Sequence, residues 1–208
     1  MDKALPHKTL RRIARQESGG ARQFTAAADG GVALCPLWSG DNLGGVGIMQ
    51  ITVPRPTDDQ VWSWRAHVAK GIEIFNQKIV GARHYPEQVR KTHGFKRLMD
   101  AFNADRHKKK QSPVAITLPD FTSGDFDDNL QQLELDTIRG YNGWGGRDLF
   151  GLPLHEFWVA LDPHGHLRVD LDPTGTTGTA IWERVPVAAR PQGFGDPNYV
   201  NNVLGQKL

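Results

Sequence analysis

The sequence predicts an α+β domain, mainly helical, with a small β region. Three observations point there. Apolar residues recur at helical spacing in residues 10–17, 61–79 and 130–141, whereas residues 157–186 alternate apolar and polar around Gly-containing turns. Between the first two helical stretches, residues 19–47 are rich in Gly, Asp and small side chains, the chemistry of irregular loops. A length of 208 residues suits one domain with a sizeable core, so residues 1–208 are read as a single domain carrying a β insertion over 155–190.

The elements follow in order. Leu10, Ile13, Ala14 and Glu17 share one helix face, and Ser18-Gly19-Gly20 ends that helix. A short hairpin is expected within 19–47. The apolar stretch "GIMQITVPRP" is stopped by two prolines, after which Thr57 or Asp58 caps a helix with Val61, Trp64, Val68, Ile72, Phe75 and Ile79 inward. A further helix is predicted from Glu87 to about Phe102, and a polar connection over 105–128. Asp127 or Asp128 is expected to cap the helix through Leu130, Leu133, Thr137, Ile138 and Tyr141, which Asn142-Gly143 terminates. Two or three strands, with a hairpin pair, occupy 157–186. The tail "NYVNNVLGQ" suits a last short helix.

Composition excludes more than it selects. A formal net charge of +2 and a pI near 8.7 fit an anionic polymer better than an acidic chain would, but the only basic run, residues 105–111, reads as a solvated loop or helix end. No nucleic-acid partner is expected. A lone Cys35 forms no intramolecular disulfide, and its apolar flanks predict a small buried hydrophobe. The first sixteen residues lack the apolar segment of a signal peptide, and no run is apolar enough for a membrane span. A chain made in the cytoplasm and acting elsewhere would then need another delivery system. A helix so near residue 1 also fits the excised end of a longer protein.

Glu17 is the residue that asks for a function. A carboxyl continuing an apolar helix face is partly desolvated, which disfavours its charged form and should move its pKa from about 4.3 toward roughly 6 to 7. Such an acid can protonate a leaving-group oxygen. The same placement also suits a core-edge carboxyl held neutral by backbone hydrogen bonds.

Three short motifs in order add to this: Glu17-Ser18, Gly47-Ile48-Met49-Gln50 and Tyr141-Asn142-Gly143, with "YVNNVL" near the end. Together they resemble the goose-type lysozyme and soluble lytic transglycosylase group of the lysozyme-like superfamily, over residues 10–80, 133–146 and 198–204. The resemblance implies a lysozyme-like fold and cleavage of peptidoglycan between N-acetylmuramic acid and N-acetylglucosamine. Glu17 would be the general acid, with Tyr141 setting its position and protonation. Ser18 would bond near the muramyl lactyl group or the helix end, while glycines 44, 45 and 47 admit a sugar. Met49 and Gln50 would line the cleft, Asn142 would hold the N-acetyl group, and Tyr199 would contact substrate. No cofactor or metal is implied.

Lytic transglycosylases of this group use one carboxylate, the muramyl 6-hydroxyl closing onto C1 to give a 1,6-anhydro end. An inverting muramidase needs a second carboxylate to activate water. Goose-type lysozymes carry one Asp before the Met-Gln element and one after. Here Asp41 matches the first, as base or turn residue, and Thr52 replaces the second, so the transglycosylase is favoured; Asp29 has weaker support. The "VWSW" and "FNQK" stretches resemble the version of this domain in contractile secretion (type VI) and phage-tail proteins. That implies an antibacterial effector or toxin, with a carrier from the secretion or tail machine and a dedicated inhibitor or immunity protein. A non-catalytic peptidoglycan-binding module and a structural tail protein are the rival classes. His164 and His166 sit at a turn without a third ligand, and Trp144, Trp158 and Trp182 suit a sheet core better than sugar stacking.

Overall fold

The computed structural model describes residues 4–25, 35–39, 44–143, 146–190 and 195–208. Its helices are α1 (Lys8–Ser18), α2 (Asp58–Trp62), α3 (Trp64–Arg90), α4 (His93–Lys108), α5 (Gln132–Tyr141) and α6 (Tyr199–Leu204). The strands are β1 (Ala115–Thr117), β2 (Phe157–Val159), β3 (Val169–Leu171), β4 (Thr177–Ala180) and β5 (Trp182–Arg184). The class is mixed α and β with small sheets. Two compact units divide the chain: unit 1 comprises Met1–Lys78, Asp127–Leu130 and Asn198–Leu208, and unit 2 comprises Ile79–Phe126 and Gln131–Pro197. No helix among the described residues is long and apolar enough to cross a membrane.

Unit 1 is built on α1. Leu10, Ile13 and Ala14 are fully buried together with Ile48, Met49, Phe75, Val200 and Val203. Thr57 begins α2 with a reciprocal cap: its Oγ1 accepts from Gln60 N at 3.3 Å, and its own N donates to Gln60 Oε1 at 3.1 Å. The expected single helix from Thr57 is instead broken at Ser63, and α3 runs on to Arg90 through Pro86. Among the described residues of the Gly-rich segment there are isolated bridges, Phe24 with Pro36, Trp38 with Val46, and Val46 with Ile51. Cys35 is exposed, contrary to expectation. Its neighbour Pro36 faces inward at the bridge, and alternation along an extended chain turns residue 35 outward.

In unit 2, the helix expected over 87–102 is two helices that meet at Thr92. The Thr92 Oγ1 accepts from Phe95 N at 3.1 Å and starts α4, whose last turn holds the basic run with an Asp105–Lys109 ion pair of 2.7 Å. The polar connection conceals β1, which pairs in parallel with β4; β3 completes this sheet antiparallel to β4, and β2 pairs antiparallel with β5. Residues 157–186 thus hold four strands where two or three were expected, the β3–β4 hairpin matching the expected pair, while β1 had too little alternation to announce itself. Tyr85, Val89, Phe95, Val159, Leu167 and Ala180 form the core. Trp182 meets the Tyr85 ring edge-on at 5.5 Å, and His155 stacks on Tyr85 at 3.6 Å. Burial pushes the His155 pKa down to about 3.

A buried carboxyl fixes the first strand of the β2–β5 pair. Asp136 Oδ1 on α5 accepts from Glu156 N at 2.7 Å and Phe157 N at 3.0 Å. Glu156 in turn accepts from Arg184 Nε and Arg190 Nη2, both at 2.6 Å. Burial first, and then the Glu156 charge, hold the Asp136 pKa well above the ordinary carboxylate range against the pull of those N–H groups. The folded state therefore keeps a proton that the unfolded chain has lost, and stability from this group falls as pH rises above the unfolded value. Asp136→Asn keeps the Oδ1 acceptor but cannot ionise. Its unfolding free energy, relative to the parent, should rise by about 1 to 2 kcal/mol between pH 5 and pH 7 in urea titrations; a constant difference would contradict a protonated Asp136.

Candidate functional site

The site is assembled around the last turn of α1, and both ends of that helix are fixed by distant chain. Asp128, itself at φ 59°, accepts Lys8 N on Oδ2 at 2.9 Å and Thr9 N on Oδ1 at 3.0 Å. Asp127 or Asp128 was expected to cap α5; Asp128 caps α1 instead, and the N-cap of α5 is Gln131. Despite desolvation, the hydrogen bonds from Thr9 and Lys8 and the nearby His7 hold the Asp128 carboxyl below its usual pKa. At the other end Gly19 adopts φ 59° and its N–H returns to Arg15 O. The buried Ser18 donates Oγ–H to Ala14 O and accepts from Arg22 N, each at 2.8 Å. Ser18 is a strut of the helix end, the second of its two expected roles.

Glu17 is half-buried beside this strut. The hydroxyl of Tyr199, the first residue of α6, donates to Glu17 Oε1. Tyr199 is only 4% exposed, so this phenol is a fixed internal partner. Expected as a substrate contact, Tyr199 is here a partner of the acid. Two further bonds tie the tail to the same turn: Arg15 Nη1 donates to Lys207 O, and Gln206 Nε2 donates to Gln16 Oε1 at 2.8 Å.

The Gly-Ile-Met-Gln element lies in the same unit, but its side chains have other duties than predicted. Gly47 has φ 68°, and a Cβ there would come within 2.5 Å of Gln23 Oε1. The group approaching Gly47 is thus the buried Gln23, whose Oε1 accepts from Ile48 N at 3.3 Å and whose Nε2 donates to Val61 O at 2.8 Å. Met49 has no exposed surface and packs against Gly71 of α3, so it fills the interior and does not line a cleft. Its N–H donates to Nε2 of the fully buried His67 at 3.2 Å, while His67 Nδ1 bonds Gln60 O at 3.0 Å. This pair of partners selects the neutral Nδ1–H tautomer, in line with a pKa lowered by burial. Gln50, half-buried at φ 45°, donates Nε2 to Gly47 O at 2.9 Å, and its buried Oε1 has no hydrogen-bond partner among the described residues. Of the predicted sugar contacts here, Gln50 alone keeps an uncommitted polar atom. Asp41 and Asp29 lie outside the described residues, as does Trp144. Thr52 Oγ1 donates to Gln50 O at 3.3 Å.

Tyr141 and Asn142 belong to unit 2. Tyr141 is the half-buried last residue of α5, and Asn142 caps it. The Asn142 amide donates to Asp196 O at 3.4 Å and leaves no room for a Cβ at Gly195. His164 and His166 flank a turn organised by Asp162, whose Oδ1 accepts both of their N–H groups at 2.8 and 2.9 Å. Among the described residues no group of three His, Cys, Asp or Glu side chains is placed to hold a metal. Trp158 and Trp182 are half-buried in the β2–β5 pair.

Compared with known proteins, the chain matches no family model, no curated sequence and no solved structure.

Sequence reasoning missed Gln23 and His67 as internal struts. His67 was legible in principle, because 64, 67, 68, 71 and 75 share one helical face. Gln23 had no periodic signal. Substituting Gly47 by Ala requires both a left-handed backbone and displacement of Gln23, so it should cost about 2 kcal/mol or more of unfolding free energy. Gly44→Ala, at φ 79° with nothing within 4 Å, meets the first penalty only. Urea titrations should rank the two in that order, and equal costs would contradict the close packing of Gln23.

Proposed function

We propose that this protein is a lysozyme-like enzyme that cleaves peptidoglycan glycan strands, with Glu17 as general acid, by the lytic transglycosylase reaction. The observation that carries the reading is the half-buried Glu17 whose Oε1 accepts the hydroxyl of the buried Tyr199. The bond orients the carboxyl, and the proton that Glu17 carries is the one the reaction transfers.

The reaction balances on this one carboxyl. Glu17 gives its proton to the glycosidic oxygen as the bond from C1 of N-acetylmuramic acid to that oxygen breaks. The muramyl 6-hydroxyl oxygen then bonds to C1, and its proton returns to Glu17. No water is consumed, so no second carboxylate is demanded. Thr52, standing where goose-type lysozymes carry an acid, spends its hydroxyl on Gln50 O and has no basicity to activate water. Tyr199 acts as a positioning residue through Glu17.

Purified protein on insoluble cell walls tests this, with the soluble fragments weighed by mass spectrometry. The parent should release fragments lighter by one water than reducing-end products. Glu17→Gln should lower the rate by about a thousandfold or more. Tyr199→Phe should lower kcat about tenfold with KM nearly unchanged, because the acid is misplaced and not lost. Undiminished cleavage by Glu17→Gln would overturn the assignment, and reducing ends would replace the transglycosylase with a hydrolase.

A further inference from the structure

Away from the Glu17 turn, unit 1 exposes two indoles that its packing does not need. Trp38 is 54% exposed and Trp62 is 59% exposed, an unusual expense for the largest apolar side chain. Both line one open groove of about 260 Å³, together with Pro36, Val46, Arg55 and Asp58.

The two rings are held on fixed backbone. Trp38 sits at an antiparallel bridge to Val46, with Gly47 N donating to Leu37 O at 2.7 Å on one side and Ser39 N to Gly45 O at 2.8 Å on the other. Trp62 ends α2, whose start is locked by the Thr57–Gln60 reciprocal cap and whose Val61 carbonyl is bonded by the buried Gln23. Rigid aromatic anchors of this kind lose little conformational entropy when a ligand arrives. The polar groups of the groove are also uncommitted. Among the described residues, neither the guanidinium of Arg55 nor the carboxylate of Asp58 has a hydrogen-bond or ion-pair partner.

The geometry points to a saccharide subsite in this groove, in which a pyranose ring of a glycan strand stacks on Trp38 and Trp62 while Arg55 and Asp58 bond its edge. The identity of the sugar rests on the peptidoglycan reading above. A pyranose presents what the groove matches: a face of C–H groups for an indole, and an edge of hydroxyl and N-acetyl groups that both donate and accept. Arg55 supplies donors only and Asp58 acceptors only, so together they satisfy such a two-way edge, and their charges cancel against a neutral sugar. An apolar protein segment would fill the space between the indoles but leave both charged groups desolvated and unpaired, a cost that disfavours it.

The test is binding, measured separately from cleavage. In the Glu17→Gln background, soluble peptide-free glycan strands of alternating N-acetylglucosamine and N-acetylmuramic acid are titrated by calorimetry. Trp38→Ala and Trp62→Ala should each weaken binding about tenfold, with Trp→Leu at either position no better and Trp62→Tyr close to the parent. Because both indoles are exposed, the melting temperature should stay within a few degrees of the parent. Alanine variants that bind like the parent overturn the subsite, and so do leucine variants that keep full affinity, since those would mark an apolar docking surface for protein. If the variants bind as well as the parent while the Glu17-containing protein still cleaves cell walls, the subsite alone fails. If tryptophan substitution abolishes glycan binding but the Glu17-containing protein cuts nothing, the subsite stands and the proposed reaction falls.

Discussion

The hydrogen bond from Tyr199 to Glu17 is the contact on which the functional account depends. It joins residues 182 positions apart and orients a carboxyl at the end of a helix. Its geometry requires α1 to hold its length and α6 to hold its place. Asp128 supplies the first by capping α1, Ser18 and Gly19 finish the helix, and the tail contacts from Gln206 and Arg15 supply the second. A single acid is thus supported by three segments of unit 1 that are remote in sequence.

Glu17 itself was legible. The apolar spacing of Leu10, Ile13 and Ala14 placed it on the inward face, and the Ser-Gly-Gly that follows is a helix stop by the physics of left-handed backbone. The same logic found α6 and the end of α5. What spacing could not give was partnership. Asp128 looked like the cap of the helix just downstream, since local sequence offers no sign that two backbone N–H groups 120 residues earlier would claim it. Likewise Met49, Gln23 and His67 form an internal framework of polar and apolar contacts. A motif read for its contacts with sugar turned out to carry, at Gly47 and Met49, requirements of packing. The β1 strand and the break at Thr92 escaped notice for a different reason, because three-residue strands and side-chain caps barely disturb hydrophobic periodicity.

Unit 2 follows another rule. Its α5 helix is buried on nearly every side although it carries Glu134, Asp136 and Arg139, so polar partners, such as Glu156 N for Asp136 and Asp196 O for Arg139, stand beside the buried Leu133, Leu135 and Ile138. Asp136 organises the start of β2, and Glu156 gathers Arg184 and Arg190. Removing one member of such a group leaves the others uncompensated, which makes this region intolerant of single substitutions that an exposed helix would absorb.

The most direct measurement is a crystal structure of the Glu17→Gln protein with an uncleaved glycan strand. An amide mimics the protonated acid, with an oxygen to accept from Tyr199 and an NH₂ group to donate. The account predicts the substituted side chain still bonded to the Tyr199 hydroxyl, with its nitrogen about 3 Å from a glycosidic oxygen. A strand bound with its linkages out of reach of residue 17 would contradict it.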